Sequence, residues 1–145
     1  MPTIRAVFYG RKSNDDDGSS VVNSTCRWSE GGNFLLQEFD LQLSGQNAMR
    51  VSQRIGWDHI VKRIRSWVFD SEGGYGESLW TPVGDTWLIK ATGVRPDGKT
   101  ASATNVLVPA GKDGYVWRSR DRIIGDEVAP NIEVKVVRKP PLPKQ

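Results

Sequence analysis

Cysteine and histidine are nearly absent from this sequence, which contains only Cys26 and His59. One cysteine cannot form an internal disulfide, and it cannot supply the set of thiolates that a structural zinc site needs. One histidine excludes the paired histidines of a metalloprotease motif and leaves a single base for any Ser-His-Asp triad. The sequence therefore lacks the residues that most hydrolase and metal sites require, and we predict neither a metal site nor a bound cofactor.

Long hydrophobic runs are also missing. No apolar stretch approaches the ~18 residues of a membrane span, and residues 1–12 lack the basic start and the apolar segment of a signal peptide. The net charge is only +3, and the basic residues are spread along the chain, whereas nucleic-acid binders usually concentrate them. We expect a soluble protein, cytoplasmic by default, with no membrane partner and no nucleic-acid partner.

Helical periodicity is scarce, whereas turn signals recur at short intervals between segments rich in Val, Ile, Thr, Trp and Phe. A chain of 145 residues has the size of one domain. Because many short strands in an open sheet would leave edges that invite aggregation, closure is favoured. We predict an all-β fold, an antiparallel up-and-down meander of about 8 to 10 strands that forms a lipocalin-like (calycin) barrel. The predicted domain spans residues 1–138, and the proline-rich residues 139–145 are predicted to form a flexible tail.

Two predicted strands alternate clearly between apolar and polar residues, which assigns a face to each side chain. One strand has its apolar residues at a single parity, expected to face the core: Met49, Val51, Ile55 and Trp57. Another has three arginines at a single parity, expected to form a basic stripe: Arg118, Arg120 and Arg122. The strand over residues 63–70 has apolar residues at both parities, so its inner face is left open.

The sequence contains six tryptophans, many for its length. Aromatic residues with a few polar groups are typical of a ligand cavity, but tryptophans also fill the interior of small barrels. Our first hypothesis is a binding module that holds a small, mainly apolar ligand. Its predicted ligand-binding residues are Trp67, Trp80, Trp117, Tyr75, Glu77, Arg65 and Arg118. The alternative is a structural or interaction domain with a filled barrel, which contacts a partner domain or forms a homodimer.

A second alternative is a small enzyme, although we favour a protein without catalytic activity. Residues 69–77 combine three carboxylates with three glycines, and Asp70 or Glu72 is the candidate general base. A nearby arginine would have to stabilise developing negative charge, and the candidates are Arg65, Arg118 and Arg120. The same glycine-rich segment is also typical of a hairpin turn with glycines at positive φ. The enzyme hypothesis therefore requires these groups to converge.

Several short motifs together resemble a known bacterial pattern. They are Cys26-Arg27-Trp28, Gly32-Asn33-Phe34, Ile55-Gly56-Trp57-Asp58, residues 64–77, Gly84-Asp85-Thr86-Trp87, Pro96-Asp97-Gly98-Lys99, Trp117-Arg118-Ser119, Asp121-Arg122 and residues 134–138. This succession, from about Ser20 to Arg138, resembles the C-terminal β-domain of two-domain proteins whose N-terminal half is a SnoaL-like cone domain. The resemblance implies an antiparallel calycin-type barrel. It implies no activity, because the cyclase and oxidoreductase labels of those proteins belong to the cone domain.

Overall fold

The computed structural model describes residues 4–12, 20–42 and 48–138, with side chains described in 23–41 and 48–138. Every regular element in these residues is a β-strand, so the predicted all-β antiparallel meander is confirmed. The strands are β1 (Ile4–Lys12), β2 (Ser20–Trp28), β3 (Phe34–Gln42), β4 (Met49–Asp58), β5 (Arg63–Asp70), β6 (Tyr75–Val83), β7 (Thr86–Val94), β8 (Thr100–Pro109), β9 (Gly114–Ile124), β10 (Glu127–Ala129) and β11 (Ile132–Arg138). The described part of the chain has no helix that could cross a membrane. The predicted tail, residues 139–145, lies outside the described residues.

All eleven strands belong to one sheet, in the order β10-β9-β11-β1-β2-β3-β4-β5-β6-β7-β8. Each strand from β1 to β8 pairs antiparallel with its successor in the chain. Strand β9 pairs with β8 along one edge and with β11 along the other, and β11 pairs with β1. The three-residue β10 pairs with the last residues of β9, beyond the segment that β11 covers.

One face of this sheet carries every side chain that is buried in the described residues. Directly opposed residues of an antiparallel pair point to the same side, and successive residues alternate. The strand registers therefore place a common set on one face: Ser24, Ser66, Ser78, Ile89, Ser119, Val134 and Val136. We call this the inner face and the opposite one the outer face.

The parity predicted for β4 is largely confirmed. Met49, Val51 and Ile55 lie on the inner face, and they are less exposed than the alternate residues between them. Trp57 has the same parity, but it stands near the strand end and is 48% exposed. The structure also shows which residues of β5 lie on the inner face, because Ser66 is fully buried opposite Ser78. Trp67 therefore lies on the outer face.

The prediction of a basic stripe on β9 is wrong for Arg122, its last residue. Opposite β8, the register shifts between Ser102 and Thr104, which gives β9 one extra residue there. Asp121 takes a positive φ of 51° at this point. The extra residue is a β-bulge, which reverses the alternation. As a result Arg122 is turned to the inner face and is partly buried, whereas Arg118 and Arg120 remain exposed on the outer face.

The apolar core is formed by neighbouring residues of β9 and β11. Val134 and Val136 are buried, and Tyr115 and Trp117 of β9 pack against them. Phe39 of β3 packs against the same cluster, although β1 and β2 lie between β3 and β11 in the sheet. The inner face is therefore strongly curved in this region.

Two facing glycines let β6 and β7 approach closely. A Cβ atom on Gly76 would lie 2.7 Å from the backbone oxygen of Thr92, and one on Gly93 would lie 2.8 Å from that of Tyr75. We expect Gly93→Ala to lower the free energy of unfolding by ~1–3 kcal/mol, because the backbone would have to move apart. Urea denaturation measures this. The exposed neighbour gives the control, since Thr92→Ala should change stability by less than about 0.5 kcal/mol, and equal stability of the two variants would contradict the close approach.

Candidate functional site

The seven predicted ligand-binding residues lie on both faces of the sheet. Trp67 is paired with Glu77, whereas Trp80 is paired with Ile64, so the two tryptophans point to opposite sides. The inner face holds Trp80 and Trp117. The outer face holds Arg65, Trp67, Tyr75, Glu77 and Arg118. The structure therefore does not bring the predicted set together into one pocket.

The candidate general bases lie in a hairpin turn. The Oδ1 atom of Asp70 accepts hydrogen bonds from the backbone N–H groups of Glu72, at 2.8 Å, and Gly74, at 2.9 Å. Gly73 has a positive φ of 97°. This is the arrangement of a turn in which an aspartate side chain caps the chain that follows it. The turn prediction is confirmed, and Glu72 is exposed within it.

The groups that the enzyme hypothesis needs do not converge. Asp70 and Arg65 are five residues apart on one strand, which corresponds to roughly 16 Å, and they have opposite parity. Arg118 and Arg120 belong to β9, which β6, β7 and β8 separate from β5. Among the described ion pairs, Arg65 and Arg118 are paired with carboxylates other than Asp70 and Glu72.

Arg65 is held between two carboxylates on the outer face. Its Nε donates to Asp58 Oδ2 at 2.7 Å, and its Nη1 lies 3.2 Å from Glu77 Oε2. The backbone N–H groups of Ile60 and Val61 also donate to Asp58 Oδ1. These backbone hydrogen bonds, followed by that of Arg65, lower the pKa of Asp58. Because two carboxylates already neutralise it, Arg65 is a poor receptor for an anionic ligand.

An aromatic cluster lies next to this ion pair on the outer face. The rings of Phe34 and Trp67 meet edge to face, with centroids 6.3 Å apart, and the Arg54 guanidinium lies 5.5 Å from the Phe34 centroid. Phe34 can lie over β4 because Gly56 has no side chain, since a Cβ there would come 2.5 Å from the ring. Neither Phe34 nor Arg54 was predicted from the sequence as a site residue, although a glycine inside a strand signals such a close approach.

A groove of about 650 Å³ runs beside this cluster, across β2 to β5. Most of its lining residues have outer-face parity, and the larger side chains among them are Arg27, Leu36, Glu38, Arg54, Trp67 and Phe69. Its surroundings include well-exposed aromatic residues, with Phe69 57% and Tyr75 56% exposed. The outer face thus offers a mixed apolar and charged surface. Arg118 lies apart from it and pairs with Glu133 at 3.2 Å.

The inner face is lined in part by neutral polar groups that bond to one another. Gln53 Nε2 donates to Gln37 Oε1 at 2.9 Å, and Gln37 Nε2 donates to Ser24 Oγ at 3.1 Å. Trp80 Nε1 donates to Ser66 Oγ at 3.0 Å. These bonds satisfy groups that would otherwise be costly to remove from water. The inner face therefore differs from an ordinary apolar core.

One inner-face group stands apart from these networks. Asn105 Oδ1 is buried and has no hydrogen-bond partner among the described residues. Its cross-strand neighbours Ile89 and Ser119 are 5% and 2% exposed. The diagonal neighbour Ala91 on β7 and the next inner-face residue of β8, Ala103, are small. Asn105 was not predicted from the sequence, although the alternation of Ala101, Ala103, Asn105 and Leu107 along β8 could have indicated a polar residue on an otherwise apolar face.

Two ionisable inner-face groups are neutral at physiological pH. Burial raises the pKa of Tyr115 to about 12, and the negative charge that Cys26 acquires at high pH adds to this rise. Burial also raises the pKa of Cys26. The described residues contain no group of three His, Cys, Asp or Glu side chains that could hold a metal ion. His59 lies exposed in the turn after β4.

The lowered pKa of Asp58 predicts a specific pH dependence. A carboxyl whose folded pKa is depressed stabilises the fold above its unfolded pKa, and this contribution disappears as the pH falls through the folded pKa. Asp58→Asn should therefore be less stable than the parent at pH 7, and its stability should fall less steeply in acid. Thermal unfolding at several pH values measures this. Glu127→Gln removes the same charge from exposed β10 as a control, and parallel acid profiles for Asp58→Asn and the parent would contradict the role of Asp58.

Comparison of the chain with models of known protein families and with curated proteins finds no match. The resemblance to the C-terminal β-domain of SnoaL-like two-domain proteins therefore stays a prediction.

Proposed function

We propose that this chain is a small-molecule-binding module that holds its ligand against the inner face of a calycin-type β-barrel. The observation that carries the proposal is the character of the inner face. It combines aromatic and aliphatic walls with neutral polar groups, and the buried Asn105 Oδ1 has no hydrogen-bond partner in the described part of the chain. Ligand sites in proteins have this composition, with a mainly apolar lining and a few convergent polar groups.

The strand pairings support closure of the sheet. Since β9 bonds to β8 on one edge and to β11 on the other, the path from β11 through β1 to β8 returns to β9. Ten strands take part in this circuit. Contacts across the inner face agree with it, because Phe39 packs against the Val134 and Val136 cluster.

The size of the inner-face residues supports room for a ligand. Barrels of about eight strands can either fill with side chains or hold one small ligand, and the diameter grows with strand number. On β6, β7 and β8 the inner-face positions carry a run of small residues: Gly76, Ser78, Ala91, Gly93, Ala101 and Ala103. Such residues occupy little of the volume that a ten-strand barrel encloses. This favours a ligand site over a filled interior.

The tryptophans supply the apolar wall of the proposed site. Trp80 and Trp87 meet edge to face on the inner face, with ring centroids 5.9 Å apart. Trp117 pairs with Leu107 on the neighbouring strand, two residues from Asn105. We therefore retain Trp80 and Trp117 as ligand-contacting residues. Trp67, Tyr75 and Glu77 are assigned to the outer face and to a different surface.

Occupying the proposed space should abolish binding. Ala91→Phe adds a ring to the inner face, whereas Thr92→Phe adds the same ring to the outer face of the same strand. We expect the Ala91→Phe variant to bind the neutral fluorescent probe N-phenylnaphthylamine at least about tenfold more weakly than the parent. Fluorescence titration measures this, with folding checked by circular dichroism. Equal probe affinity of the parent, Ala91→Phe and Thr92→Phe would contradict an inner-face site.

A second candidate function is an interaction domain that uses the outer face. The groove beside Phe34 and Trp67 is flanked by exposed aromatic residues, including Phe69. Exposed apolar patches of this kind mark protein contact surfaces. A homodimer formed through this face is the simplest version of the idea.

Sedimentation velocity tests the homodimer. If the outer groove mediates self-association, the parent should sediment as a dimer, and Phe69→Ser should shift it to the monomer because it removes an exposed apolar side chain. Val83→Ser is the matched control, since Val83 is similarly exposed at 59% but lies at the far end of β6. A monomeric parent at all concentrations would contradict self-association through this groove.

A further inference from the structure

We infer that the ligand of the inner face is a neutral molecule that carries a hydroxyl or N–H donor, bound to Asn105 Oδ1, and that carboxylate ligands are discriminated against. This inference rests on the proposed ligand-binding function and adds the chemical class of the ligand.

The side-chain oxygen of Asn105 lacks a hydrogen bond within the described residues. A buried carbonyl oxygen without a partner costs free energy, and a bound donor recovers it. Asn105 Oδ1 is such an oxygen in the described residues. A hydroxyl or N–H group can donate to it, whereas an ionised carboxylate can only accept. An anionic head group at this position would place two acceptors against each other.

The inner face around Asn105 carries no charged side chain among the described residues of the long strands. Among the described inner-face side chains of the long strands, charged residues stand only near strand ends: Asp70, Arg122 and Arg138. Asp70 caps the β5–β6 turn, and Arg122 Nη1 donates to the backbone oxygen of Pro130 at 3.0 Å. The middle of the face carries serine, glutamine and asparagine instead. A buried carboxylate requires a cationic or strongly donating partner there, and the described side chains supply none.

The arginines that might have received an anion lie on the other side of the sheet. Arg65 is engaged by Asp58 and Glu77, and Arg118 is engaged by Glu133. Neither can reach Asn105 from the outer face. The raised pKa values of Tyr115 and Cys26 agree with an uncharged interior.

The neighbours of Asn105 indicate where the rest of the ligand lies. Ile89 and Trp117 carry apolar side chains on adjacent strands, and the small side chains of Ala91 and Ala103 lie beside them on the same face. A ligand with one polar donor and an apolar body fits this arrangement. Long-chain alcohols are the simplest molecules of that class.

Three molecules with the same ten-carbon chain separate the possibilities: decanol, which donates; methyl decanoate, the methyl ester, which is neutral and only accepts; and decanoate, which is anionic at pH 8. Each is titrated against the full chain loaded with N-phenylnaphthylamine. We expect decanol to displace the probe at about tenfold lower concentration than methyl decanoate, and decanoate to be the weakest. In Asn105→Leu the advantage of decanol over methyl decanoate should disappear, whereas Thr104→Val, an outer-face neighbour, should preserve it.

The outcomes distinguish this inference from the function on which it rests. If decanoate or methyl decanoate displaces the probe as well as decanol does in the parent, the inference is overturned, while inner-face binding stands. An alcohol preference that persists in Asn105→Leu also overturns it. If the parent binds neither the probe nor any of the three molecules, the proposed function itself is wrong. The ranking in the parent needs no variant, so a poorly folding Asn105→Leu does not remove the test.

Discussion

Strand β9 has hydrogen-bonded partners along both edges, and the remaining architecture depends on this. Its pairing with β8 brings the end of the meander beside β11, and β11 in turn covers the edge of β1. Because β11 joins β9 to β1, the strand most distant from it in sequence, the inner face curves and Phe39 comes to the Val134 and Val136 cluster. The bulge at Asp121 belongs to the same region. With this bulge, β9 pairs with β8 along its whole length, while its other edge pairs first with β11 and then with β10.

The two faces of this sheet have different chemistry. The outer face carries ion pairs and aromatic rings. The Arg50–Asp40 and Arg118–Glu133 pairs are well exposed and each contributes little to stability, whereas the Arg65–Asp58 pair is mostly shielded from water. The inner face carries neutral amides and hydroxyls among aromatic and aliphatic side chains. A core selected only for stability would replace most of these groups with apolar ones, since every buried polar group must be satisfied. The polar inner face, on which Asn105 Oδ1 has no hydrogen-bond partner among the residues with described side chains, is the reason why we propose a ligand there.

Strand periodicity and turn residues made the antiparallel meander predictable from the sequence. The inner parity of Met49, Val51 and Ile55 followed from simple alternation, and the Asp70 turn followed from its glycines. The face of Trp67 was not predictable, because β5 has large residues at both parities and only the pairing with Ser78 decides between them. The face of Arg122 was predicted wrongly. One extra residue of β9, where the register with β8 shifts between Ser102 and Thr104, reverses the alternation of side chains, and the local sequence does not reveal this shift. Whether the Asn105 side-chain oxygen finds a hydrogen-bond partner among the described residues depends on side chains of β7, β8 and β9 together, so only the folded structure could reveal it.

The central claim is that a small molecule binds to the inner face. Nuclear magnetic resonance of the isotope-labelled chain, titrated with decanol, tests it most directly because each residue reports separately. The account predicts chemical-shift changes and intermolecular contacts at the Asn105 side-chain amide, Ile89 and Trp117, with the outer-face residues Trp67 and Glu77 unchanged. Changes confined to Leu36, Trp67 and Phe69 would place binding in the outer groove and contradict the account.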